Sequence, residues 1–124
     1  MAKRRTTKPV SKEDRQRLFD EVKGKCAYCG KSIQDYFEVD HVTPVRKGGK
    51  DCYDNYLASC GSCNIQKSSL TIEQFRSNLL YKHKQMLRDS SKYRALIRFG
   101  IIENNIDELE FHFEKIGIEF RDKT

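Results

Sequence analysis

The sequence predicts a small α+β domain: two short strands and a helix in a core stapled by cysteines, flanking helices on both sides, and a short strand near the C-terminus. Three observations predict it. Two Cys-x-x-Cys pairs, Cys26/Cys29 and Cys60/Cys63, bracket the centre of the chain. Two short aromatic and β-branched runs, Tyr36–Asp40 and Tyr56–Ser59, lie between the pairs. Segments with helical spacing and capping signals lie outside them. A length of 124 residues suits one domain rather than two.

Taken in order, residues 1–10 form a flexible basic arm. Residues 11–70 form the stapled core with its leading helix. Residues 71–124 form a helical extension packed on the same domain. The leading helix starts at Ser11, a capping residue followed by acids in the first turn, and carries Leu18, Phe19 and Val22 on one face. Gly24 can end it. The first knuckle is Cys26–Gly30. Thr43–Asn55, with Pro44, Gly48 and Gly49, reads as a loop. The second knuckle, Cys60–Cys63, runs into a short helix over about 62–68. Thr71 and Gln74 make a capping box. The helix they open carries Phe75, Leu79, His83 and Met86 on one stripe, and a further helix over 92–99 stops at Gly100. Leu109, Phe111 and Phe113 alternate with Glu110, His112 and Glu114, the period of a half-buried strand.

Hydrophobic residues make up 37% of the chain and charged residues 34%, so the core is thin and calls for a staple. No apolar run approaches 18 residues, which predicts no membrane span. The N-terminus lacks the apolar stretch of a secretory signal. These features place the protein in the cytoplasm, where paired cysteines bind metal more often than they cross-link. Two pairs offer four thiolates at tetrahedral spacing, a closed and therefore structural Zn²⁺ site. A redox Cys-x-x-Cys comes singly in a βαβ setting, absent here. Cys52 stands alone with no assigned role.

The net charge of +6 is uneven. Residues 1–25 hold nine Lys/Arg against four Asp/Glu, and residues 64–98 hold eight against two, whereas 103–124 reverse to three against seven. Basic flanks point to a polyanionic partner. Lys3, Arg4, Arg5, Arg46, Lys47, Lys50, Lys67 and Arg76 are the candidate phosphate contacts.

A plain zinc ribbon has roughly 15–20 residues between its cysteine pairs; here there are 30. The excess holds Asp40-His41-Val42-Thr43-Pro44, Gly48-Gly49 and Asp54-Asn55-Tyr56-Leu57. After it comes Cys60-Gly61-Ser62-Cys63-Asn64-Ile65-Gln66-Lys67. In order and spacing this resembles the HNH endonuclease motif, over residues 26 to 67. The resemblance implies a ββα-metal fold and a metal-dependent DNA endonuclease leaving 5′-phosphate and 3′-hydroxyl ends. By the same resemblance, Asp40 binds a catalytic divalent cation, His41 is the general base, and Asn55 braces the loop. Asn64 occupies the last motif position, making an HNN variant, and Lys67 is the basic residue that follows on the helix.

The chemistry agrees. Phosphodiester hydrolysis needs an activated water and charge stabilisation at phosphorus. A neutral imidazole can take the proton, and a carboxylate with an amide oxygen, Asp40 with Asn64, suits Mg²⁺ or Mn²⁺. Asp40 and His41 are adjacent, so both can serve only if the strand end twists to turn them into one cleft. No base-reading module is evident, so little sequence preference is expected. RNA is an alternative substrate for the same fold. A homodimer, needed for concerted double-strand cuts, is left open. The competing function is a non-catalytic zinc-ribbon module that binds nucleic acid or protein and needs the cysteines alone. His83 and His112 are read as packed or surface side chains.

Overall fold

The computed structural model of the protein describes residues 9–104 and 108–119. The arm residues Lys3, Arg4 and Arg5 lie outside them.

Helix α1 spans Lys12–Glu21. The Asp14 amide donates to Ser11 Oγ (3.1 Å), so the expected cap is in place. Its inward face buries Leu18, with Val22 just beyond the helix. The chain then reverses through Lys23 and Gly24, both at positive φ, with the Gly24 amide donating to Phe19 O.

Strand β1 (Glu38–His41) pairs antiparallel with β2 (Tyr56–Ser59), Asp40 opposite Leu57 and His41 opposite Tyr56. The first strand begins two residues later than the alternation suggested and includes His41. Every residue of β2 is buried, because the strand has the first cysteine knuckle and α1 packed around it. The Ala27 amide donates to Ala58 O, tying the first knuckle to this strand. Helix α2 (Gly61–Lys67) follows at once, completing a strand–strand–helix unit. The loop between the strands contains two short 3₁₀ turns, Val45–Lys47 and Tyr53–Asn55.

Helix α3 (Ile72–Asp89) starts from the expected capping box: the Gln74 amide donates to Thr71 Oγ1, and the Thr71 amide donates to Gln74 Oε1. Helix α4 spans Ser91–Arg98 and ends before Gly100, which has a positive φ. Among the described residues, no helix is long and apolar enough to cross a membrane.

The expected C-terminal strand over Leu109–Phe113 is corrected. The sheet of the described residues has two strands, and the segment runs without regular structure into a single-turn helix α5, His112–Lys115. Phe111 and Phe113 do both point inward, as alternation suggested. They reach the core from the helix start, where Glu114 accepts from the Phe111 amide. The amides of His112 and Phe113 donate to Tyr28 O and Ala27 O on the first knuckle. Tyr28 meets Phe75, Phe111 and Phe113 edge-on at 5.4–6.0 Å, while Phe75 stacks on Phe111 at 5.3 Å. Each such buried ring contributes about 1.5–3 kcal/mol by removal from water, which extends a core the first 70 residues leave thin.

Candidate active site and metal centre

Cys26 and Cys29 come from the first knuckle. Cys60 caps α2, and Cys63 sits in its first turn. One sulfur from each lies within 4.8 Å of the others. The Cys29–Cys60 separation is 3.8 Å, matching the edge of about 3.8 Å that four Zn–S bonds of about 2.3 Å make in a tetrahedron. Backbone amides of Tyr28 and Cys63 point at the sulfurs of Cys26 and Cys60, stabilising thiolate. The neighbouring Cys63 and nearby backbone amides hold the Cys26 thiol low, to about 4, and the Cys63 thiol is pushed up by the same neighbour and by burial. Metal binding requires the thiols to be deprotonated. The donor set and spacing fit zinc. Cys52 is exposed and stands outside the cluster.

Asp40, His41 and Asn64 line one open cleft of about 580 Å³, together with the β1 start, Pro44–Arg46 and Ser68–Ser69. The end of β1 and helix α2 thus border the same hollow. The Asp40 side chain is buried against two donors on Oδ2: the Tyr28 hydroxyl at 2.6 Å and the Lys67 ammonium at 3.0 Å. Burial raises the Asp40 carboxyl above its ordinary range, and Lys67 opposes that rise. Lys67 also donates to His41 O (3.0 Å), so one ammonium fixes both ends of the Asp40–His41 pair. Tyr28, inside the first Cys-x-x-Cys, thus connects the zinc knuckle to the acid of the cleft. Its phenol is pushed well up by burial and by the Asp40 charge, which keeps it a donor.

His41 turns Nε2 toward Asp51 Oδ1 at 2.9 Å. The Tyr56 hydroxyl donates to the same oxygen at 2.7 Å, and the Tyr56 ring meets the imidazole edge-on at 5.3 Å. Burial, then the bond to Asp51, raises the Tyr56 phenol to about 12. Sequence reasoning missed Asp51, since an aspartate two residues after Gly48-Gly49 reads as a turn former. Asn55 bonds the backbone of the loop that follows His41. Its Oδ1 accepts from the Thr43 amide (2.9 Å), and its Nδ2 donates to Thr43 O (2.9 Å) and Lys50 O (2.8 Å). Gly49 lies against that contact: a Cβ there would sit 1.8 Å from Thr43 O.

The basic residues divide. Arg46 is exposed at the cleft rim, with Nη1 3.4 Å from Ser69 Oγ; Lys50 is exposed, and Lys47 is exposed and donates to Gln74 Oε1 (2.7 Å). Two expectations of phosphate contact are corrected. Lys67 is 0% exposed and holds Asp40. Arg76 folds inward, binding Glu73, Glu114 and Leu109 O and covering the Phe111 ring. Asp40 for Lys67 and Glu114 for Arg76 are partners distant in sequence, and Glu73 on the same helix adds to the second. His83 bonds Tyr93 and Asn104, and His112 bonds Val22 O, which places both in structural roles.

The HNH endonuclease family model matches residues 26–70. That segment contains both cysteine pairs, the cleft and the whole strand–strand–helix unit. A type IV methyl-directed restriction enzyme of Escherichia coli (strain K12), EcoKMcrA, is 37% identical over 54 residues, a match covering 38% of this chain and 20% of that enzyme.

Proposed function

We propose that the HNH endonuclease domain of residues 26–70 hydrolyses DNA phosphodiester bonds in the cytoplasm, with His41 as general base. The observation that carries this reading is the convergence of Asp40, His41 and Asn64 on one cleft. The likeness to a restriction enzyme supports it. Asp40 and Asn64 would hold a divalent cation, and their hard oxygen donors fit Mg²⁺ or Mn²⁺. When bound, the cation neutralises charge developing on the phosphoryl and departing 3′ oxygens.

The chain's own residues do the rest. His41 takes a proton from water, whose oxygen attacks phosphorus as the P–O3′ bond breaks; the departing 3′ oxygen takes a proton from solvent and leaves as the hydroxyl. Lys67 and Tyr28 hold the Asp40 carboxylate in place. Asn55 ties Thr43 to Lys50 and so fixes the loop that follows the histidine. Arg46, Lys47 and Lys50 supply phosphate contacts, which give affinity and salt dependence without reading bases.

The test is plasmid cleavage in Mg²⁺ or Mn²⁺ buffer with zinc retained, with an RNA substrate alongside. Wild type is expected to cut DNA to 5′-phosphate and 3′-hydroxyl ends, and His41→Ala to be slower by about 10²–10⁴-fold. Equal rates would remove His41 from the reaction. DNA binding with no cutting by either protein would leave a zinc-stapled binding module instead.

A further inference from the structure

We propose that Asp51 is the positioning residue for His41: it fixes the tautomer in which Nε2 carries the proton and Nδ1 offers its lone pair to the cleft. The proposal deepens the nuclease reading and rests on it for its catalytic consequence. An aspartate carboxylate only accepts hydrogen bonds, so the ring nitrogen 2.9 Å from Oδ1 must be the donor. His41 lines the cleft and Asp51 does not, and Nε2 is taken by Asp51, so we assign Nδ1 to the water beside the phosphate.

The carboxylate is itself held. The Tyr56 hydroxyl binds the same oxygen, and Tyr56 is the cross-strand partner of His41 in the β-ladder. The strand pair therefore sets the distance between phenol and imidazole, and Asp51 bridges them. When Nδ1 takes the water's proton, the ring becomes a cation next to the Asp51 carboxylate, which stabilises it. Asn55 contributes from the other side, because its bond to Lys50 O anchors the residue before Asp51.

The test has two readouts. Long-range ¹H–¹⁵N correlation spectra of the zinc-loaded protein, at a pH where the ring is neutral, report which nitrogen of His41 carries the proton. The chain has three histidines, and His41→Ala assigns the signal. The wild-type proton is expected on Nε2. In Asp51→Asn, whose amide can donate to Nε2, the population should move toward Nδ1–H, and kcat should fall on the order of 100-fold with KM nearly unchanged. Zinc content and far-UV circular dichroism check that the variant folds. Tyr56→Phe, which keeps the buried ring, provides a second variant with a smaller shift in the same direction. A wild-type proton on Nδ1, or an unchanged tautomer in folded Asp51→Asn, would overturn the proposal. Absence of cleavage by wild type, with the tautomer as expected, would overturn the nuclease reading and support the positioning of His41.

Discussion

Replacing Lys67 by Met tests whether the Asp40–Lys67 pair governs the cleft floor. The ammonium is 0% exposed and lies 3.0 Å from Asp40 Oδ2. At that distance, with an effective dielectric constant of about 20, the gross attraction is about 5.5 kcal/mol, part of it offset by desolvation. Lys67→Met fills the same space but strands a buried carboxylate, and Asp40→Asn strands a buried ammonium. Each is expected to cost about 3–5 kcal/mol. The double variant strands neither charge, so its cost should fall short of the sum by at least about 2 kcal/mol.

Urea unfolding with saturating zinc measures all four proteins. The pH dependence has a definite sign. Burial already raises the Asp40 carboxyl in the folded state, so its ionisation opposes folding above that folded-state pKa, and the penalty is relieved as pH falls through it. Removing Lys67 raises the carboxyl further. The cost of Lys67→Met should therefore be larger at pH 7.5 than at pH 5.5, by an amount in which the zinc contribution common to both proteins cancels. Single-variant costs that add to within about 0.5 kcal/mol would refute the coupling.

Two further outcomes follow from the same geometry. Chelating zinc should abolish far-UV helix signal and unfold the core, since the metal contributes on the order of 10 kcal/mol; Zn²⁺ should restore it and Mg²⁺ should not, and an unchanged spectrum after complete zinc removal would contradict the stapling role of the four thiols. Arg46→Ala should lower the salt dependence of DNA binding by about one counterion, whereas Arg76→Ala should leave that slope unchanged and destabilise the fold by about 2–3 kcal/mol; a lowered slope for Arg76→Ala would put that side chain back on the DNA.

Features written in neighbouring residues were legible in the sequence. The Ser11 cap, the Thr71–Gln74 box, the stop at Gly100 and strand β2 all rest on groups within a few positions of one another. The cysteine quartet was legible because two residues between thiols is itself a geometric statement. What failed depended on distant partners. Arg76, expected on phosphate, is held by Glu73 on its own helix and by Glu114, 38 positions away. Lys67 has the composition of a surface lysine, and only the fold of β1 against α2 gives it a buried carboxylate. The alternation at 109–113 identified the inward side chains and misjudged the backbone. A strand needs a ladder partner, and the amides of His112 and Phe113 instead reach the carbonyls of the zinc knuckle.

The same division explains why the cleft was half visible. Asp40, His41 and Asn64 carry the motif, so their chemistry could be named before their positions were known. Tyr28, Asp51, Tyr56 and Lys67 carry no motif of their own, yet they set the orientation of the named residues. Tyr28 couples Asp40 to the zinc knuckle, and Asp51 couples His41 to the strand ladder through Tyr56. The side chains of Asp40 and His41 are therefore oriented by separate supports, one through Tyr28 on the cysteine knuckle and one on the sheet. Tyr28 and Lys67 hold Asp40, while the His41–Asp51–Tyr56 chain depends on the register of β1 against β2 and on the Asn55 brace. Gly49 joins that second support, because the loop that presents Asp51 can close on Thr43 only where no Cβ intervenes.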